Sequence, residues 1–237
     1  MSQQVVLKKK PPKDSIVVDE DAQEIYETVG KDLGQFHELG VSFLNREIYL
    51  GEITHGSSIR FHKNLLALEN ISGAPIKIHI HSPGGLVEAG WGVYDIMLHS
   101  RCEIVGIGWG VCASMAALIL QGCDKRILAP NCTFMLHEGS DSLHDTSARN
   151  PMAYGLEAKR HLILMYEILE RNSFLSINQL EQLISHIDLF LTPKEVVALG
   201  LADKILKAKD LTRNKKGVDK KSLNRIIAQK SFSKLFK

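Results

Sequence analysis

Residues 104–123 read IVGIGWGVCASMAALILQGC, twenty consecutive positions without a charge. Length and apolarity alone would suit a membrane-spanning helix. The internal order argues otherwise. Gly106, Gly108 and Gly110 alternate through the first third, and Ser114 then precedes the small and aliphatic run Met115-Ala116-Ala117-Leu118-Ile119-Leu120. A buried strand, a tight turn and a buried helix account for that order better than one continuous helix.

The same rhythm continues on both sides. Upstream, Arg46 to Gly51 is strand-like and is followed by a helical pattern through Ile59, Leu65, Leu66 and Leu68. Ile76 to His81 alternates as a strand does, stops at Ser82-Pro83-Gly84-Gly85, and gives way to a helix from Val87 to Leu98. The strand of the opening stretch is read as Glu103 to Gly108, and Arg126-Ile127-Leu128 leads to a further run, Phe134-Met135-Leu136-His137. Helices follow over 154–172, with Leu162, Met165, Ile168 and Leu169 as the apolar stripe, over 177–186 after the N-cap Ser176, and over 193–199. The last has Thr192 as N-cap, Pro193 at its first position and Gly200 past its end. Alternating strands and helices imply an α/β fold with a largely parallel sheet and crossover helices.

The 237 residues suffice for one substantial domain, and 44% hydrophobic with 24% charged residues is a globular composition. Three segments are expected: an extension over 1–38, partly disordered, in which Ile25, Val29 and Leu33 lie at helical spacing; a domain over 39–207; and a tail over 208–237. The net charge of +2 hides an asymmetry, because Lys204 to Lys237 carries twelve basic residues against Asp210 and Asp219. That tail has few interleaved aromatics, so it reads as a solvated amphipathic segment, and nucleic acid is not expected among the partners. Cys102, Cys112, Cys123 and Cys132 form no C-x-x-C pair and read as reduced, buried thiols in a cytosol-like compartment. Lys8, Lys9 and Lys10 precede no apolar run, so no secretory signal is read; a cytoplasmic location without membrane association is expected.

Four places carry chemistry. Ser114 opens a helix after a glycine-rich strand, where backbone N–H groups would face a reacting carbonyl, although a serine there is commonly only an N-cap. Ser82-Pro83-Gly84-Gly85 allows close backbone approach to a ligand, or is only a tight turn. His137 ends an apolar run beside Glu138 and Gly139. Asp188 lies within Ile187-Asp188-Leu189-Phe190-Leu191, an acid expected to be enclosed by apolar residues, and burial of a carboxylate demands a partner: an imidazole, a cap or a structural contact. His79 and His81 share one strand face, read as packing or solvent exposure rather than half a metal site.

Together these segments resemble the Clp protease proteolytic subunit, the ClpP type of serine peptidase. The family pattern of a strand, Ser-Pro-Gly-Gly and a helix with Ala-Gly and Tyr-Asp matches Ser82 to Gly85, Ala89-Gly90 and Tyr94-Asp95. Ala-Ser-Met matches Ala113-Ser114-Met115, and Asp-x-Phe-Leu-Thr matches Asp188 to Thr192. The resemblance spans Val41 to Leu206. It implies the ClpP/crotonase-like fold of repeated β-β-α units with a protruding handle helix, here the helix over 154–172.

It also implies roles: Ser114 as nucleophile, His137 as general base, Asp188 as the residue orienting the histidine, and the backbone N–H groups of Gly85 and Met115 as the oxyanion hole. The implied activity is serine endopeptidase action on unfolded proteins, with no cofactor in this chain and ATP used by a partner AAA+ Clp unfoldase. The implied assembly is a ring homo-oligomer of stacked heptamers. Two departures stand out: the family's His-Gln-Pro is His137-Glu138-Gly139 here, and the arginine before the aspartate is Ile187. Alternatives are a virus-type ClpP-like protease processing capsid proteins, a non-catalytic ring subunit, a crotonase-type acyl-CoA enzyme, which needs no serine nucleophile, and a serine–lysine peptidase, for which no lysine is placed.

Overall fold

The computed structural model describes residues 20–139 and 151–207. The segment 1–19 and the basic tail from 208 lie outside the described residues. The order of elements is α1 (Glu20–Leu39), β1 (Val41–Ser42), β2 (Glu47–Leu50), α2 (His55–Ile71), β3 (Ile76–Ser82), α3 (Val87–Leu98), β4 (Ile104–Ala113), α4 (Met115–Gln121), β5 (Lys125–Leu128), β6 (Thr133–Leu136), α5 (Pro151–Arg171), α6 (Ile177–Ile184), β7 (Leu189–Leu191), α7 (Pro193–Ala198) and β8 (Lys204–Ile205).

Strands run β1-β2-β3-β4-β5-β8, with every pairing from β2 onward parallel. Parallel strands must be joined by crossovers, and α2, α3 and α4 supply them between β2, β3, β4 and β5. Ile76, Ile78 and Ile80 of β3 are fully buried beneath the helices, while Lys77, His79 and His81 point to the other face. His79 accepts a hydrogen bond from Trp109 Nε1 at 2.9 Å and stacks on that indole. No cluster of three or more His, Cys, Asp or Glu side chains suited to a metal ion occurs among the described residues.

The opening stretch divides at Ser114, as its glycines suggest, but the strand runs five residues past Gly108. In β4, Gly108 pairs Ile80 and Cys112 pairs Ser82, so extra residues bulge out around Gly110, whose φ is +49°. Beyond the bulge β4 changes partner, and Val111, Cys112 and Ala113 pair Thr133, Phe134 and Met135 of β6. β7 adds antiparallel to β6, so that β6 and β7 form a short branch off β4 in the same sheet. Among the described residues no helix is long and apolar enough to cross a membrane.

The extension holds a longer helix than its three spaced apolar residues suggest, with the opposite face docked. Val29 and Leu33 are exposed, whereas Asp32 is buried. Its carboxylate accepts from Ser42 Oγ at 2.7 Å and from the Phe43 and Leu44 N–H groups at 2.6 and 3.2 Å. Those bonds satisfy the turn between β1 and β2, which explains why a polar residue sits inside. In α2, Leu65 and Leu68 are buried while Ile59 and Leu66 face out. Capping boxes start α6 at Ser176–Gln179 and α7 at Thr192–Glu195, and Gly200 closes α7 with φ +79°. All four cysteines are free and buried.

Candidate active site

Ser114 stands between the end of β4 and the start of α4 with φ 55° and ψ −128°. That backbone region is costly for any residue with a Cβ, and such strain concentrates where a side chain must be presented. It is held by Ser114 N–H donating to Met135 O at 2.9 Å and by the Ala117 N–H on Ser114 O at 2.9 Å. The hydroxyl makes no cap bond to its helix. It bonds His137 Nε2 at 2.7 Å, which removes the N-cap reading.

His137 follows the last residue of β6, which the strand exchange at the β4 bulge brings beside Ser114. The opposite edge of its ring meets Asp188, with Oδ1 3.4 Å from Nδ1. The three residues named from sequence therefore lie in one chain of contacts. One expectation fails: Asp188 is not enclosed, its side chain being 60% exposed. Ile187 and Phe190 beside it are also exposed, because β7 is a short outer strand and its apolar flanks do not cover it.

The Ser82–Gly85 turn presses on this site from β3. A Cβ on Gly84, whose φ is +104°, would stand 2.8 Å from Ser114 Cβ and 2.9 Å from Ala113 O. A Cβ on Gly85, at φ +145°, would stand 2.1 Å from Ile53 O. Ile53 N–H donates to Gly84 O and Leu86 N–H to Ile53 O, which leaves the Gly85 N–H outside that bridge. The Met115 N–H, at the first position of α4, has no intrahelical acceptor. Both donors border the cavity beside Ser114, a pocket of about 160 Å³. Its far wall comes from Trp91 on α3 and from Ala158, His161, Leu162 and Met165 on α5. Sequence reading missed Trp91 and His161, since neither carries a motif and only the crossing of α3 by α5 joins them.

A hydroxyl bonded to an imidazole, an imidazole backed by a carboxylate, and free N–H groups over an open pocket together suit acyl transfer.

Comparison with known proteins places this architecture. The family model for Clp protease matches residues 37–209. An ATP-dependent Clp protease proteolytic subunit of Porphyromonas gingivalis is 31% identical over 169 residues, covering 69% of this chain and 74% of that protein. Subunit 3 of a Synechococcus enzyme of the same name is 33% identical over 178 residues, with 72% and 86% covered. Among solved structures, a ClpP1 mutant from Listeria monocytogenes superposes with a TM-score of 0.63 at 26% identity, covering 71% of this chain and 95% of that one.

Proposed function

From the premise that this chain belongs to the Clp protease family and is a ClpP-like protease, we propose that it is a serine endopeptidase hydrolysing peptide bonds of unfolded proteins. The observation that carries the reading is the 2.7 Å hydrogen bond between Ser114 Oγ and His137 Nε2.

In this reading Ser114 Oγ attacks the peptide carbonyl carbon while His137 Nε2 takes its proton. Asp188 accepts from Nδ1–H, fixing the tautomer that leaves Nε2 free and stabilising the imidazolium. The Gly85 and Met115 N–H groups receive the oxyanion, a type of contact worth roughly 10²- to 10³-fold in rate per donor. The imidazolium then protonates the departing amine, and a water activated by the same histidine releases the acyl group.

The pocket beside Ser114 is the place for the side chain preceding the cut bond. The chain needs no cofactor of its own; it acts in the cytoplasm as a ring of identical subunits, stacked in pairs, fed by an AAA+ Clp unfoldase that consumes ATP. The names of its relatives, ATP-dependent Clp protease proteolytic subunits, support the unfoldase. Hydrolysis of a short fluorogenic peptide by the wild type, lost in Ser114→Ala, tests the chemistry; turnover unchanged by that substitution rejects it. Mass in solution tests the assembly, and a monomer at high concentration rejects the ring.

A further inference from the structure

Glu138 follows His137 directly and takes no part in the acyl-transfer scheme. Its side chain is only 22% exposed, so its carboxylate needs partners, and it has two. One oxygen accepts from Tyr166 Oη at 2.9 Å. The other accepts from the His186 N–H at 3.2 Å, with His186 Nδ1 3.8 Å away. Tyr166 is 5% exposed within α5. Burial, and next the bond to Glu138, push its phenol above the ordinary tyrosine range, so it stays a donor. His186 has φ +61° and lies two residues before Asp188.

The β6–β7 ladder pairs Phe134 with Leu191, Met135 with Phe190 and Leu136 with Leu189, and there it ends. His137 and Asp188 form the next step, beyond the last paired residues. Among the described residues His137 is the polar partner of Asp188, whose side chain is 60% exposed, so burial does little to hold that carboxylate against the ring. The next restraint on that side is Glu138, which ties the loop before Asp188 to α5.

We propose that Glu138 is a positioning residue: its carboxylate bridges Tyr166 and the His186 backbone and thereby sets the distance at which Asp188 meets His137. The inference rests on the serine-peptidase reading. A carboxamide can serve the same geometry, its oxygen accepting from the His186 N–H and its nitrogen donating to Tyr166 Oη. A methyl group can do neither.

The test uses the full chain and a fluorogenic peptide, with Glu138→Ala, Glu138→Gln, Tyr166→Phe and Ser114→Ala measured beside the wild type. Glu138→Ala is expected to lower kcat by about 10- to 100-fold with KM within about twofold, as a displaced catalytic group does. Glu138→Gln should stay within about threefold of wild type. Tyr166→Phe, which keeps the packing and removes one donor, should cost kcat a few-fold. Wild-type kcat in Glu138→Ala overturns the proposal, as does an equal loss in the Ala and Gln variants. If Glu138→Ala does not fold, Tyr166→Phe decides, and unchanged kcat there overturns it. Ser114-dependent turnover with an indifferent Glu138 removes this inference alone; turnover independent of Ser114 removes the peptidase reading and this inference with it.

Discussion

Asp188 stands across from His137 one step past the end of the β6–β7 ladder, its Oδ1 3.4 Å from Nδ1 of the ring. An antiparallel pair brings opposite Cβ atoms to about 5 Å, the span a carboxylate and an imidazole need to meet. The exposure of Asp188 makes this a contact set by strand register rather than by burial. Water screens it, so it adds little to the stability of the fold.

Asp188→Asn should therefore separate catalysis from stability. An amide here presents a donor or a weaker acceptor to Nδ1, and peptide turnover should fall on the order of 10²-fold or more, short of the 10⁴-fold typical of a buried triad carboxylate. The denaturation free energy should move by no more than about 0.5 kcal/mol. Turnover equal to wild type would remove Asp188 from the triad.

Met115 gives the converse case. Its backbone N–H is the proposed oxyanion donor, while its side chain is 3% exposed and packs on Gly90, where a Cβ would lie 2.2 Å from Met115 Cγ. Met115→Ala should cost roughly 2–4 kcal/mol of stability through the cavity it leaves. Turnover per folded molecule should drop far less than in Ser114→Ala. The pair of measurements is urea unfolding and peptide hydrolysis on the same preparation.

Glycines along the site should differ by what surrounds them. Gly85→Ala drives a methyl into Ile53 O at 2.1 Å and must shift the turn, so activity should be lost along with several degrees of melting temperature. Gly139 also has positive φ, +86°, but among the described residues nothing lies within 4 Å of its Cβ position. Gly139→Ala should cost only the backbone strain, about 1 kcal/mol. Equal melting temperatures for the two variants would contradict this.

The buried thiols predict an alkaline limit. Burial raises Cys123 to about 12 and Cys132 to about 11, against about 8.5 for an unfolded cysteine. The folded state thus holds protons that the unfolded chain releases. Their stabilisation is fully present below about pH 8.5 and is lost as pH rises through the folded values near 11 and 12. Urea midpoints measured from pH 7 to 11 should fall, and the slope should flatten in Cys123→Ala. An identical slope in that variant would show that Cys123 does not contribute.

The pattern from Ile76 to Cys123 shows strand, turn and helix plainly because parallel strands buried on one face and crossover helices leave long, regular apolar periods. The same pattern hides the bulge at Gly110, since a strand that changes partner keeps its composition. Helical spacing identified α1 but not its docked face. Asp32 is buried for three donors from the turn after β1, a reason that periodicity does not record. The cluster of Ser114, His137 and Asp188 followed from motifs, while the exposure of Asp188 did not, because an apolar neighbourhood in sequence is not one in space. Glu138 escaped notice as more than a departure since its partners lie 28 and 48 residues away.

The central claim is that Ser114 is a nucleophile activated by His137. Labelling with a fluorophosphonate, which reacts covalently with an activated serine hydroxyl, tests it most directly. The wild type should acquire one adduct on the peptide containing Ser114, while Ser114→Ala and His137→Ala should stay unlabelled. Equal labelling of wild type and Ser114→Ala, or no labelling of folded wild type, would contradict the account.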